Sequence, residues 1–328
     1  MMEAELVFND LSITTAPNKE VARAWLTDMM EAVADLIDEE INGKPICKKA
    51  IKTDKEFYDI DLTADYGYQE WLEDPLVDRE IQALARQIDH KYPVYQDLKM
   101  DIKAYDGFLG SEFVLKETAE TVVTALGVAL LHEGIAVSLP SEPRWCQFKI
   151  EIVQKLYDET EQPHQINHRV RQVSHPEQVY FAIRDWQHSL SQKIKSVSEL
   201  IKQWEIVFSH LDKCEEYEKK ILPHLQDKKT LKSVLHRLWQ LDKVCHNWEK
   251  EPVYPMNGRP ESRQTMKVKK LAEMRKATCP HQGEQYFRMH CEIEPKGYRL
   301  YWLINQDCYR MTIGYIGPHL ETATFKAQ

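Results

Sequence analysis

The chain lacks the glycine-rich motifs that mark several large enzyme classes. No GxxxxGKS/T, GxGxxG or GxSxG pattern occurs, and only 11 of the 328 residues are glycine. These motifs need glycine because their backbone must approach a phosphate closely or turn sharply. The sequence therefore argues against P-loop, dinucleotide-binding and α/β-hydrolase enzymes.

Cysteines and long apolar runs are also scarce. The seven cysteines form no CxxC pair and are odd in number, which favours free thiols in a reducing compartment over a disulfide framework. The opening MMEAELVFND has no apolar signal-peptide core, and the most apolar stretch, TVVTALGVALLHEGIAVSL, is interrupted by His132, Glu133 and Gly134. We expect a cytoplasmic protein that does not enter the membrane.

Metal-binding signatures are weak. The histidines of HQINH, His164 and His168, have the spacing of one helical turn, but the glutamate of HExxH is missing. One set of residues near the carboxyl terminus could hold zinc: Cys279, His281, His290, Cys291, Cys308 and His319. Its first pair is closer than the C-x2-4-C pairs that zinc sites use, and strand alternation turns Cys291 away from His290. We expect no metal site and no cofactor.

Charge is unevenly distributed along the chain. The net charge is -9 overall, but it is -15 over residues 1–140 and +4 over residues 251–328. An acidic front predicts a protein partner for the amino-terminal region, and a basic tail predicts a polyanion such as RNA. The alternative is that the two surfaces simply differ.

Hydrophobic periodicity predicts an α+β protein in several parts. The amino-terminal part mixes strands with helices: ELVFNDLSI is typical of a strand, a helix follows Pro17, and IAVSLP and WCQFKIEIVQKLY suggest an antiparallel pair. The middle part has the three- and four-residue spacing of packed helices. EPVYPMNGRP is typical of a linker. The predicted parts are an α/β domain at 1–158, a helical bundle at 176–250, the linker at 251–260 and a basic β-rich domain at 261–328.

The carboxyl-terminal part predicts a basic helix followed by an antiparallel meander. SRQTMKVKKLAEMRKA contains Lys267 and Lys270, and QYFRMHCEIE, YRLYWLI and YRMTIGYIG alternate as strands. Alternation gathers a set of polar side chains on one sheet face: Arg288, His290, Arg299, Tyr301 and Arg310. His319 follows Gly317-Pro318 at the rim of this face, because proline ends the strand. A solvent-exposed sheet face would look similar.

This face suits a phosphodiester ligand. Arginine donates paired hydrogen bonds to phosphate oxygens, and an aromatic ring can stack on an unpaired base. Histidine or tyrosine can transfer a proton.

The segment 261–320 resembles the RelE-type toxin fold, mainly through Arg299 in YRLYW and the closing hydrophobic strand. Members of that family are small endoribonucleases that cut RNA with basic and aromatic side chains and without a metal. The resemblance implies that Arg288, Arg299 and Arg310 hold phosphate, as Lys267 and Lys270 of the basic helix also could. It makes His290, Tyr301 and His319 the acid–base candidates.

Two functions therefore follow from the sequence. The first is a prokaryotic toxin-like or antiviral defence effector that acts on RNA through its carboxyl-terminal domain, with nuclease activity left open. The second is a non-enzymatic interaction or scaffold protein in a larger assembly.

Overall fold

A computed structural model describes residues 3–41, 43–95, 108–118, 120–157, 164–248, 258–294 and 296–326. Within these residues the fold is α+β, as predicted. The chain divides into two compact units, Met1–Trp186 and Gln187–Gln328, and the boundary falls inside one helix. Most of the predicted linker lies outside the described residues.

The amino-terminal unit is built on a seven-stranded mixed sheet. Its strands lie in the order β7-β4-β1-β9-β11-β10-β8, and the first five are parallel to one another. The elements in chain order are β1 (Ala4–Phe8), α1 (Lys19–Asp38), β2 (Glu40–Ile41), β3 (Lys44–Pro45), β4 (Cys47–Lys52), β5 (Asp61–Thr63), β6 (Tyr66–Gly67), α2 (Tyr68–Glu73), α3 (Arg79–Gln87), β7 (Asp89–Lys91), β8 (Ser111–Leu115), α4 (Thr124–Leu131), β9 (Ile135–Val137), β10 (Lys149–Leu156), β11 (His164–Val173) and α5 (Val179–Lys193).

The predicted first helix is confirmed as α1. The side chain of Asn18 accepts a hydrogen bond from the Val21 N–H at 2.9 Å and so caps the helix at its first turn. The apolar stripe of α1, which includes Leu26 and Met29, is fully buried. β1 is likewise buried at Leu6, which fits the centre of a parallel sheet.

The predicted pairing of IAVSLP with WCQFKIEIVQKLY is wrong. β9 lies between β1 and β11 and is parallel to both, whereas β10 pairs antiparallel with β11 and β8. His164 and His168, whose spacing also suits one helical turn, lie in strand β11. An alternating pattern shows that a strand is half-buried, but it does not identify the neighbouring strand.

The carboxyl-terminal unit packs helices against a five-stranded sheet of order β12-β18-β17-β16-β13. After α5 its elements are α6 (Val197–Val207), β12 (Leu211–Lys213), α7 (Tyr217–Lys220), α8 (Lys228–His246), β13 (Arg259–Pro260), α9 (Arg263–Lys267), α10 (Lys269–Glu273), β14 (Lys276–Cys279), β15 (Gly283–Tyr286), β16 (Met289–Ile293), β17 (Tyr298–Asn305) and β18 (Arg310–Pro318). Short 3₁₀ helices occupy Asp10–Ser12, Phe57–Asp59, Pro176–Gln178 and Leu222–His224.

The predicted meander is confirmed as β16, β17 and β18, and α8 confirms the long helix of the middle part. The middle and the tail share one sheet, because β12 pairs parallel with β18, Leu211 opposite Met311. The predicted basic helix is two short helices that break at Val268, and the chain then enters the hairpin β14–β15. Among the described helices, none has both the length and the apolar character needed to cross a bilayer.

Candidate functional site

Strands β16 and β17 and the end of β18 bring some of the predicted polar side chains together. In the pairing of β16 with β17, His290 lies opposite Tyr301, and Glu292 lies opposite Arg299. Directly opposed residues share a sheet face, so these four side chains lie on one face. His319 follows the end of β18, and its N–H donates to the carbonyl of Gly297 at 2.7 Å. The rim histidine is thereby fixed beside the β16–β17 turn.

A cavity of about 650 Å³ opens over this face. Its walls come from the sheet, from the chain around β13, and from the segment after β18. The lining residues are Arg259, Pro260, Glu261, Ser262, His290, Gly297, Arg299, Pro318, His319, Thr322, Thr324 and Phe325. We call this the sheet-face cavity.

Three buried nitrogen atoms beside the cavity have no hydrogen-bond partner among the described residues. They are Nδ1 of His290, Nε of Arg299 and Nδ1 of His319. His290 is 5% exposed and Arg299 is 8% exposed. A buried polar atom without a partner costs about 1–3 kcal/mol, so native folds leave few of them. Three such atoms around one cavity indicate a place for a polar ligand.

Hydrogen bonding fixes the character of His290. Nε of Arg259 donates to Nε2 of His290 at 3.4 Å, so Nε2 is the acceptor and the proton belongs on Nδ1. The Nε–H of Arg299 is also a donor. Two residues that line the cavity therefore each carry a buried donor without a partner among the described residues.

One carboxylate partly offsets the two arginines. Nη2 of Arg299 contacts Oε1 of Glu292 at 2.7 Å, and Nη2 of Arg259 lies 3.8 Å from the same oxygen. Nη1 of Arg299 also donates to the carbonyl of Tyr298 at 3.0 Å. Two guanidinium groups thus share one carboxylate, and the buried Nε of Arg299 has no partner among the described residues.

Both histidines of the cavity are held neutral near pH 7. Burial lowers the pKa of His290 and outweighs the opposite effect of Glu261, while Arg259 and Arg299 lower it further. Burial and the charge of Arg299 lower the pKa of His319 in the same way. A neutral imidazole can accept a proton or, through its N–H, donate to an anion.

Tyr301 lies behind the cavity. It is fully buried, and its ring stacks on His290 with centroids 4.9 Å apart. Its hydroxyl lies 3.2 Å from Oε2 of Glu261, and burial raises the pKa of the phenol to about 12. The Tyr301 ring therefore packs against His290 and is too buried to stack on a nucleobase.

A buried ion pair holds this arrangement in place. Nε of Arg275 donates to Oε2 of Glu261 at 2.7 Å, and neither side chain is more than 6% exposed. Arg275 also donates to the carbonyls of Leu271 and Glu321, both at 2.9 Å. Burial would raise the pKa of Glu261, but the Ser262 N–H and Arg275 keep it below its usual range.

The remaining predicted residues lie elsewhere. Arg310 binds both carboxylate oxygens of Asp212 and the carbonyl of Ser209 near the far end of β18. Arg288, Lys267 and Lys270 are exposed and are not among the described residues that line the sheet-face cavity. Three of the eight predicted residues, His290, Arg299 and His319, meet at the cavity.

Sequence reasoning missed Arg259, Glu261 and Arg275. Arg259 was placed in the linker, where a single arginine carries no recognisable pattern. Glu261 and Arg275 are distant in sequence and meet only through the fold. For the zinc set, no group of three metal-ligating side chains is arranged to hold an ion within the described ranges.

Comparison with protein-family models, with curated proteins and with solved structures gives no match to this chain.

Proposed function

We propose that the carboxyl-terminal unit binds single-stranded RNA and seats one phosphodiester in the sheet-face cavity. The observation that carries this proposal is the convergence of Arg259, Arg299 and two imidazoles on one cavity, where Nδ1 of His290 and Nε of Arg299 have no partner among the described residues. A phosphate supplies several strong acceptors and the matching charge. The predicted resemblance to RelE-type toxins points to the same class of substrate.

The other walls of the cavity suit a nucleotide. A volume of about 650 Å³ falls within the range of small-molecule sites. Phe325 is exposed at the rim, where its ring could stack on an unpaired base. The centroid of its ring lies 4.5 Å from that of His319. Thr324 adds a hydroxyl at the same rim. Unpaired bases and sugar hydroxyls are features of single-stranded RNA.

The two imidazoles have different roles in RNA cleavage in this proposal. Nδ1 of His319 accepts the proton of a ribose 2′-hydroxyl, whose oxygen attacks the adjacent phosphorus. His290, whose Nε2 remains the acceptor of the Arg259 N–H, helps to hold the phosphate, and the departing 5′-oxygen takes a proton from solvent water. The products are a 2′,3′-cyclic phosphate and a 5′-hydroxyl. The protein then acts as a toxin-like or defence effector.

The test measures binding of the full-length chain to a fluorescent single-stranded RNA across a salt series. Arg299→Gln should weaken binding by more than about tenfold, since a charge-assisted hydrogen bond contributes roughly 1.5–3 kcal/mol. Arg259→Gln should weaken it less and lower the salt slope by about 0.7. Arg288→Gln is the matched control, because Arg288 is also exposed but does not line the described cavity.

RNA integrity is followed in the same samples. His319→Gln should abolish cleavage and keep most of the binding, because the phosphate is held by other groups. Unchanged affinity in Arg299→Gln, or equal losses in Arg259→Gln and Arg288→Gln, would contradict the proposal. Thermal unfolding of each variant separates loss of the site from loss of the fold.

A second candidate function, an interaction protein, is favoured by an aromatic cluster in the amino-terminal unit. Phe148, Tyr180 and Phe181 are all exposed, and the Phe181 ring lies 6.0 Å from that of Phe148 and 5.3 Å from that of Tyr180. Contiguous exposed aromatic surface is typical of protein–protein contacts. The cluster fits the predicted protein partner of the amino-terminal region.

This candidate is tested by isolating the chain from its native cells. A protein that co-purifies in equal amount and is lost with Phe148→Ser/Phe181→Ser would support an interaction role. Retention of that protein in the double variant would exclude this surface as the contact.

A further inference from the structure

Two more cavities lie along helix α8 in the carboxyl-terminal unit. One, of about 660 Å³, lies between the end of α5 and the first half of α8. The other, of about 800 Å³, lies between α8 and the end of β16. Both are lined by Lys232 and His236, so they are adjacent. We call the two together the α8 groove.

The α8 groove is positively charged. Lys195, Lys228 and Lys232 line the first cavity, and its described lining contains no aspartate or glutamate. In the second, four basic side chains outnumber two glutamates. Within the described part of the chain, no ion pair is formed by Lys228 or Lys232. These cations are therefore available to an external anion.

Their position on the helix works against helix stability. Lys228, Lys229 and Lys232 lie within the first five residues of α8, where the helix dipole is positive. A cation in the first turn of a helix is unfavourable by about as much as an anion there is favourable. Stabilisation of α8 therefore does not explain these lysines, whereas the combined positive potential explains attraction of an anion.

The first cavity also has an aromatic wall. The rings of His188 and Trp239 stack with centroids 4.8 Å apart, and both line the cavity. Leu231 and Leu235 form an apolar floor. Lysines beside an apolar, aromatic surface match a nucleotide, which has a phosphate at one end and a flat base at the other.

The α8 groove and the sheet-face cavity both border the β16–β17 turn. Lys296 lines the second cavity, and the next residue, Gly297, lines the sheet-face cavity. Glu292 belongs to the wall of the groove and also binds Arg299 of the sheet-face cavity at 2.7 Å. The second cavity of the groove and the sheet-face cavity thus meet the β16–β17 turn at consecutive residues.

We infer that the α8 groove holds the continuation of the RNA strand whose phosphodiester occupies the sheet-face cavity. Lys296 and Lys232 contact successive phosphates, and one unpaired base lies against Trp239 between Lys228 and Lys195. This inference rests on the proposed function and adds that the ligand is an extended single strand of several nucleotides.

The test compares two RNA probes with the full-length protein: a dinucleotide and an oligonucleotide of about 12 nucleotides. Lys228→Gln/Lys232→Gln should weaken binding of the longer probe on the order of tenfold at about 0.1 M salt, because two counterion-releasing contacts are lost. Affinity for the dinucleotide should be unchanged. Lys202→Gln/Lys243→Gln is the matched control, since both lysines are exposed on helices of the same unit and do not line the described cavities.

The outcomes separate this inference from the proposed function. Equal losses of affinity for the longer probe in the two double variants, or no loss in Lys228→Gln/Lys232→Gln, would overturn the inference that the α8 groove binds RNA. If the longer probe depends on Lys228 and Lys232 but not on Arg299, the groove stands and the sheet-face phosphate site fails. If neither probe binds, both fail. A glutamate-rich peptide that binds wild type but not Lys228→Gln/Lys232→Gln would then assign the groove to an acidic protein.

Discussion

Replacement of Arg275 by methionine should strongly destabilise the carboxyl-terminal unit. Arg275 is 2% exposed, and its guanidinium holds the carboxylate of Glu261 at 2.7 Å and two backbone carbonyls. Methionine fills a similar volume but leaves Glu261 buried without its cation. Removal of one partner of a buried ion pair costs about 3–5 kcal/mol. At about 4 °C per kcal/mol, the melting temperature should fall by about 12–20 °C.

The assay is urea unfolding of Arg275→Met at several pH values. Wild-type Glu261 has a lowered pKa, so its contribution is present above the unfolded pKa and is lost as pH falls through the folded pKa. In the variant, Glu261 is buried without a cation and should favour protonation. The difference in unfolding free energy between wild type and Arg275→Met should therefore shrink as the pH is lowered. Glu261→Gln/Arg275→Met should recover part of the loss, because no buried charge remains. A loss below about 1 kcal/mol in Arg275→Met would refute the reasoning, since the pair would then be solvated.

Three further predictions concern packing, pH and thiols. Gly314→Ala should lower the free energy of unfolding by about 1–3 kcal/mol in chemical denaturation, because the new Cβ would lie 2.3 Å from the Phe287 ring. A substitution at Gly283 is the comparison, since a Cβ there meets no neighbour and the position differs only in its positive φ. Asp74→Asn should destabilise the amino-terminal unit by roughly 1–3 kcal/mol at pH 7, since the carboxylate bonds Arg23 and Tyr66, both at 2.8 Å. Burial raises the pKa of Asp74, but the Leu76 N–H and Arg23 lower it to about 2. The destabilisation by Asp74→Asn should therefore vanish as pH falls from about 4 towards 2. An unchanged difference in unfolding free energy between wild type and variant at pH 2 would contradict this. Native alkylation followed by mass spectrometry should label Cys146 and Cys308, which are exposed, before Cys47, whose pKa burial raises to about 12; early labelling of Cys47 would show that its strand opens.

The sequence predicted the local elements of the site better than their partners. Alternation in β16 and β17 placed His290, Arg299 and Tyr301 on one face, because the strand period depends only on backbone geometry. Uninterrupted alternation along β18 from Arg310, which was predicted on that face, would put Tyr315 on the opposite face. The register shifts between Tyr301 and Trp302, and this brings the Tyr315 ring to 5.9 Å from that of Tyr301. A bulge of one residue reverses every later side chain, and no local pattern marks it.

The sequence also did not predict that this sheet face is buried. Tyr301 looked like an exposed stacking surface, but Arg275 and Glu261 cover it from segments outside the meander. Similarly, Arg259, which lines the sheet-face cavity, comes from β13, which pairs with β16 through two residues. Such contacts depend on tertiary packing between distant segments, which periodicity does not report.

The parallel pairing of β12 with β18 has a consequence for how the carboxyl-terminal unit folds. The inner strand β18 joins β17, its neighbour in sequence, to β12, which precedes it by most of the unit. Closing so long a loop before the sheet can form raises contact order and slows folding. During synthesis, the helices α6 and α8 would emerge well before the strand that completes their sheet. The sheet-face cavity, whose rim follows β18, would therefore be assembled last, and a chain cut before β18 should have no competent site.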